Sequence, residues 1–307
     1  MDRKKGIAVL IIVIIALVFA VYVLFTGAFG TGRGGTPSGN DEGKGETESS
    51  AGADEENLSD VLSYFDENGI SSLWYFDPQN AKRYMDFSHQ EPDRRMEDIV
   101  WMVEANLDLE PYEAAVYAYD PESKTTLVNK FFKLADDFSP PDLAAIDSTM
   151  LRSEAAEAMH EMIAAAAVEG HRLWVQSGYR SFAVQSTLYD QYSASDGQES
   201  ADTFSARPGH SEHQTGLAVD FNTITDAFGE MPEGRWAAEN SWIYGYIMRY
   251  TKENADITLY RPEPWHFRYV GKEAAMHFHE SKFLSYEEYW VKYVKHMPPA
   301  AGTVIEP

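Results

Sequence analysis

Two short segments, about fifty residues apart, constrain this chain more than any other feature. They read Ser211-Glu212-His213-Gln214-Thr215-Gly216-Leu217-Ala218-Val219-Asp220 and Glu263-Pro264-Trp265-His266. Brought together, they supply two imidazoles and a carboxylate that could hold a metal. A further carboxylate stands three residues before the last imidazole. A catalytic zinc takes three such protein ligands and keeps a fourth position for water. The extra carboxylate is placed to accept that water's proton.

Backbone geometry supports the grouping. His213 and Asp220 are an odd number of residues apart, so one straight strand would send them to opposite faces. Thr215-Gly216 lets the chain turn between them. After the turn, Leu217, Val219 and Phe221 share one face, while Ala218, Asp220 and Asn222 share the other. Small Ala218 leaves room beside the carboxylate. Glu263 and His266 are also an odd distance apart, and Pro264 removes a ladder donor between them. Glu263 therefore reads as part of an irregular entry to a strand His266–Val270.

Each of these residues has a plainer reading. Asp220 could cap a turn or pair with an arginine. Glu263 could be a fourth ligand, which would close the site and make it structural. His210 could be a ligand if its segment were helical, but Pro208-Gly209 predicts a loop, which leaves it a role beside the ligands or toward a substrate. Arg180 has a guanidinium suited to a carboxylate or a developing oxyanion, or to an ordinary ion pair. His277, His279 and His296 fall in predicted helices and receive no role.

The string Pro208-Gly209-His210-Ser211-Glu212-His213 through Asp220 resembles the zinc motif of the VanY-type D-alanyl-D-alanine carboxypeptidases. Glu263-Pro264-Trp265-His266-Phe267-Arg268-Tyr269-Val270-Gly271 resembles their second motif, and Ser177-Gly178-Tyr179-Arg180-Ser181 with Gln185 a third. Weaker similarity runs from Leu127-Val128-Asn129-Lys130 to Glu287-Glu288-Tyr289. The segment Thr258-Leu259-Tyr260-Arg261-Pro262 is less typical. The resemblance implies a Zn2+ ion held by His213, Asp220 and His266, with Glu263 as general base and acid. It implies Arg180 facing the scissile carbonyl or the terminal carboxylate, with Gln185 and Ser211 shaping the pocket. The implied fold is a small antiparallel sheet carrying the zinc site, and the implied substrate is the D-alanyl-D-alanine end of peptidoglycan stem peptides. Three rivals stand beside this. They are a related zinc peptidase with L,D-carboxypeptidase or endopeptidase specificity, a non-catalytic wall-binding module, and a tethered interaction protein acting through Leu58–Asp120.

The rest of the chain supplies context. Arg3, Lys4 and Lys5 precede an apolar run from Gly6 to Phe25, long enough as a helix to cross the hydrocarbon core of a bilayer. Residues 1–5 read as a cytoplasmic tail and 6–26 as a single-pass anchor in the lipid bilayer, which puts the remainder outside. A cleaved signal peptide is the rival reading. Residues 27–57, rich in Gly, Ser, Thr, Asp and Glu, read as a flexible, disordered acidic linker. Residues 58–124 read as an N-terminal helical wrap, with the run Ile99–Val103 as a strand. Residues 125–297 hold the zinc carboxypeptidase domain that the resemblance implies, and 298–307 a tail.

Within 125–297, helices are predicted over Ser153–Glu169, Phe182–Tyr192, Trp236–Tyr250, Gly271–Ser281 and Tyr286–His296. A strand is predicted over Leu173–Gln176. Interleaved strands and helices indicate an α+β core. A formal net charge of −24 argues against nucleic-acid or anionic-membrane binding by the outer part. The absence of cysteine excludes disulfides, thiolate ligands and a lipid-modified N-terminal cysteine.

Overall fold

The computed structural model describes residues 50–296. The expected tail 1–5, anchor 6–26, most of the linker 27–57 and the tail 298–307 lie outside the described residues. Among the described residues no helix is long and apolar enough to cross a membrane.

The central sheet follows from the alternation in its strands. Short strands β1 (Val116–Tyr117) and β2 (Phe132–Lys133) pair in parallel. Strands β3 (Leu143–Ile146) and β4 (Thr149–Arg152) form an antiparallel hairpin. The four-stranded sheet contains β5 (Val175–Ser177), β6 (Ala218–Phe221), β7 (Tyr246–Met248) and β8 (His266–Tyr269) in the order β5-β6-β8-β7, every pair antiparallel. Val219, Phe221, Phe267 and Tyr269 pack on one side with Ala155, Met159 and Met162 of the helix Ser153–Val168. Phe221 and Phe267 are fully buried there, each stabilising the fold by about 1.5–3 kcal/mol. Period two then sends Asp220, His266 and Arg268 to the opposite face. Register makes Asp220 and His266 direct cross-strand partners.

A second apolar cluster joins the N-terminal region to the end of the chain. Phe65, Tyr84, Ile99, Val100 and Val103 pack with Ile247, Val270, Tyr286 and Trp290. The contributing helices are Ser50–Glu67, Ala81–Gln90 and Met96–Glu104 at one end and Tyr286–Trp290 at the other.

Three expectations are corrected here. The first helix begins at Ser50, so residues 50–57 of the expected linker are helical. Alanine and glutamate are strong helix formers, and Val61, Leu62 and Phe65 anchor the following turns at helical spacing. Ile99–Val103 is helix rather than strand. It is buried on every side, which erases the amphipathic signal on which a helix reading depends. The helix predicted over Trp236–Tyr250 is replaced by a helix Pro232–Asn240, a 3-10 turn Ser241–Tyr244 and strand β7. Gly245, at φ 87°, stops the turn in the left-handed region and redirects the chain into the sheet.

Candidate active site

His213 owes its position to a 3-10 helix, Glu212–Thr215. Ser211 Oγ caps it by accepting from the His213 amide at 3.3 Å, and Gly216 ends it at φ 67°. The following strand β6 carries Asp220, and β8 opens on His266 beside it. The three side chains converge in the buried interior, with one ligand atom from each lying within 4.8 Å of the others. His213 Nε2 lies 3.3 Å from Asp220 Oδ2, and His266 Nδ1 lies 3.1 Å from Asp220 Oδ1.

The remaining ring nitrogens are tied down from behind. His213 Nδ1 sits 2.7 Å from the Gly178 carbonyl oxygen, and His266 Nε2 sits 3.1 Å from Glu212 Oε2. Such acceptors fix the tautomer and aim the free nitrogen forward. Gly178 itself packs tightly against the β3–β4 hairpin: a Cβ there would lie 2.6 Å from the Met150 carbonyl oxygen. The donor set fits a divalent cation, being two imidazole nitrogens directed at one carboxylate with their far nitrogens engaged.

Electrostatics agree with that fit. Burial penalises the Asp220 carboxylate, yet His213 and His266 hold it well below the usual range. Burial likewise opposes ionisation of Glu212, and Arg249 and Arg268 overcome it. His266, desolvated but flanked by Asp220 and Glu212, is pushed up to about 9. The carboxylates attract positive charge to this spot, and a bound divalent cation would displace the His266 proton.

Glu263 stands outside the group of three, its Oε2 3.9 Å from His266 Nδ1. Burial raises its carboxyl to about 7; Asp220 adds to the rise, and His266, Arg261 and Arg180 oppose it. That geometry leaves it available for proton transfer and does not place it as a fourth ligand. His210 also stands apart from the metal-ligand group, with Nδ1 2.8 Å from the Asn129 carbonyl oxygen.

The centre opens into a cleft of about 340 Å³ lined by His213, Asp220, His266, Glu263, Arg180, Gln185 and Ser211. Arg180 donates to Gln185 Oε1 at 2.6 Å and to Ser177 Oγ at 3.2 Å. Gln185 in turn donates to the Ala206 carbonyl at 2.7 Å. Of the residues expected to shape the pocket, Gln185 therefore braces Arg180, and Ser211 caps the turn that carries His213.

Sequence reading assigned no role to Glu212. It is fully buried and accepts from Arg249 Nε at 2.9 Å and Arg268 Nη1 at 3.2 Å while facing His266. Arg249 continues to Glu287, whose Oε1 also accepts from Asn129. A signal for this was present. Arg268 follows His266 by two residues in a strand, so it shares the buried face and requires a buried anion.

Comparison with known proteins follows the same lines. The profile of a family described as VanY, D-alanyl-D-alanine carboxypeptidase, matches residues 148–272. "Putative carboxypeptidase YodJ" of Bacillus subtilis (strain 168) is 38% identical over 204 residues, covering 61% of this chain and 74% of that protein. A D-alanyl-D-alanine carboxypeptidase of Enterococcus faecium is 36% identical over 146 residues, which is 47% of this chain and 45% of that protein. The solved structure of the LdcB LD-carboxypeptidase is 37% identical with a TM-score of 0.55, covering 59% of this chain and 92% of that one. The fold is that of a carboxypeptidase class. The chain belongs to the VanY-type D-alanyl-D-alanine carboxypeptidase family.

Proposed function

We propose that this chain is a zinc carboxypeptidase that hydrolyses the terminal D-alanyl-D-alanine bond of peptidoglycan stem peptides. The observation that carries the reading is the convergence of His213, Asp220 and His266 at the cleft, with Glu263 beside them but outside the ligand group. When bound, zinc would polarise the peptide carbonyl and acidify a water.

The chain's own residues supply the rest. Glu263, with its carboxyl raised to about 7, takes a proton from the attacking water and hands it to the leaving amine. Arg180, held by Gln185 and Ser177, directs its remaining donors to the developing oxyanion or to the substrate's terminal carboxylate. Trp265, Tyr250 and Tyr260 line the same cleft and limit water around the reacting bond.

A second reading has support of its own. The likeness to the LdcB LD-carboxypeptidase favours cleavage of the bond before a single terminal D-alanine. Incubation of purified protein with stem pentapeptide and tetrapeptide, followed by mass spectrometry, separates the two. Pentapeptide losing one alanine supports the first reading, and tetrapeptide losing one supports the second. Chelation should stop either reaction and zinc restore it. Glu263→Gln should keep stoichiometric zinc, read by elemental analysis, while turnover falls about a hundred- to ten-thousandfold. Full turnover in that variant would remove Glu263 from the chemistry. Wall binding without any release of alanine would instead favour a binding module.

The same proposal places the catalytic domain outside the cytoplasm, tethered through 6–26. Its support is the basic flank Arg3-Lys4-Lys5 before the apolar run. A C-terminal epitope on intact protoplasts should be open to added protease; a protected epitope would reverse the orientation.

A further inference from the structure

We propose that Arg261 docks a carboxylate carried by the peptide substrate upstream of the scissile bond, and so selects for acidic stem peptides. This rests on the carboxypeptidase reading and names a feature of its substrate. Arg261 is exposed and lines the cleft two residues before Glu263. Its amide donates to the Thr203 carbonyl at 2.9 Å, and its guanidinium carbon lies 4.6 Å from the ring centroid of Phe204, another cleft residue. Pro262 confines the preceding backbone to extended conformations. Stacking on a ring occupies the face of a guanidinium and leaves its edge donors free.

Among the described residues, those donors have no hydrogen-bond or carboxylate partner. Among the described residues, every arginine except Arg172 and Arg261 lies within 4.0 Å of a carboxylate. Arg172 lies outside the cleft, over Trp174. The chain carries 49 acidic residues against 25 Lys and Arg, so an arginine with no carboxylate within 4.0 Å among the described residues can accept an external anion. The other cleft cation is committed elsewhere. Arg180 is braced at the metal end, 3.9 Å from Asp220. Groups at the reacting end therefore fall to Arg180, and a carboxylate further along the peptide falls to Arg261.

The test is steady-state release of D-alanine by the zinc-loaded protein from L-Ala-γ-D-Glu-L-Lys-D-Ala-D-Ala and from its α-carboxamide counterpart at the glutamyl residue. The parent protein should show a KM about tenfold lower for the carboxylate peptide, the worth of one charge-assisted contact. Arg261→Ala should erase that difference by raising KM for the carboxylate peptide and not for the carboxamide one, with any change in kcat common to both peptides because Arg261 also acts on the Glu263 carboxyl. Arg261→Lys should keep part of it. Raising sodium chloride to about 0.5 M should shrink the preference. Equal KM values in the parent, or a preference that survives Arg261→Ala, overturns the proposal.

Calorimetric binding to the Glu263→Gln protein adds an arm that needs no turnover. If Arg261→Ala weakens the carboxylate and carboxamide peptides alike, and spares only one with an amidated C-terminus, the docked group is the terminal carboxylate and the upstream assignment fails. Absence of D-alanine from both pentapeptides overturns the D-alanyl-D-alanine reading on which this rests, and calorimetry then reads Arg261 separately.

Discussion

Glu212 shows how much one buried carboxylate can do. It faces His266 while satisfying Arg249 and Arg268, both fully buried. Glu212→Gln should therefore weaken zinc binding about ten- to a hundredfold, measured by competition with a chromophoric chelator. It should also lower unfolding free energy by about 3–5 kcal/mol, because two guanidinium groups lose a buried counter-charge. Unchanged zinc affinity would show that His266 needs no such support. The principal centre was legible at this scale, because His213, Asp220, His266 and Glu263 each stand at a spacing with a chemical reason. The supporting residues were legible only indirectly, through the strand parity that puts Arg268 on the buried face. Glu212 lies beside His213 in a polar run, and nothing local distinguishes a buried carboxylate from a solvated one. Only the partners at Arg249, Arg268 and Glu287, distant in sequence, make the difference.

The relation between helices and closing segment turns on another carboxylate. Glu104 ends the helix Met96–Glu104 and accepts from Asn80, Tyr84, Lys295 and His296. Burial raises its carboxyl, but bonds from His296, Lys295 and Tyr84 outweigh that and bring it down to about 2. A folded-state value below the unfolded one gives stability that is complete above about pH 4.5 and is lost as pH falls through about 2. The contribution is at most about 3 kcal/mol. Urea melts from neutrality down to acid should show Glu104→Gln converging on the parent protein as pH drops; a constant gap would contradict the assignment. The sequence foretold the helices Ser153–Val168, Phe182–Asp196 and Lys272–Glu280 closely, since each keeps a polar face. It misread Ile99–Val103 and Trp236–Tyr250. One is a helix wrapped by protein on all sides, and the other is interrupted by a glycine whose left-handed backbone depends on the strand it enters.

At the scale of the whole molecule, the region before Thr125 and the end of the chain share one apolar cluster, with Phe65, Val100 and Val103 against Tyr286 and Trp290. Removing residues 1–120 should strip the cover from fully buried aromatics, and the remainder should melt without a cooperative transition and expose dye-binding surface. A sharp melt of that remainder, with zinc bound, would show that the domain stands alone. Sequence composition marked a boundary near residue 125, but it could not reveal that both sides fill a common interior. Strand pairing carries a last consequence. Asp220 and His266 lie opposite each other only in the observed register of β6 and β8, and a slip of one residue would turn His266 to the far face. A mispaired chain would thus present half a chelate, so tight capture of the ion doubles as a check that long-range assembly has finished correctly.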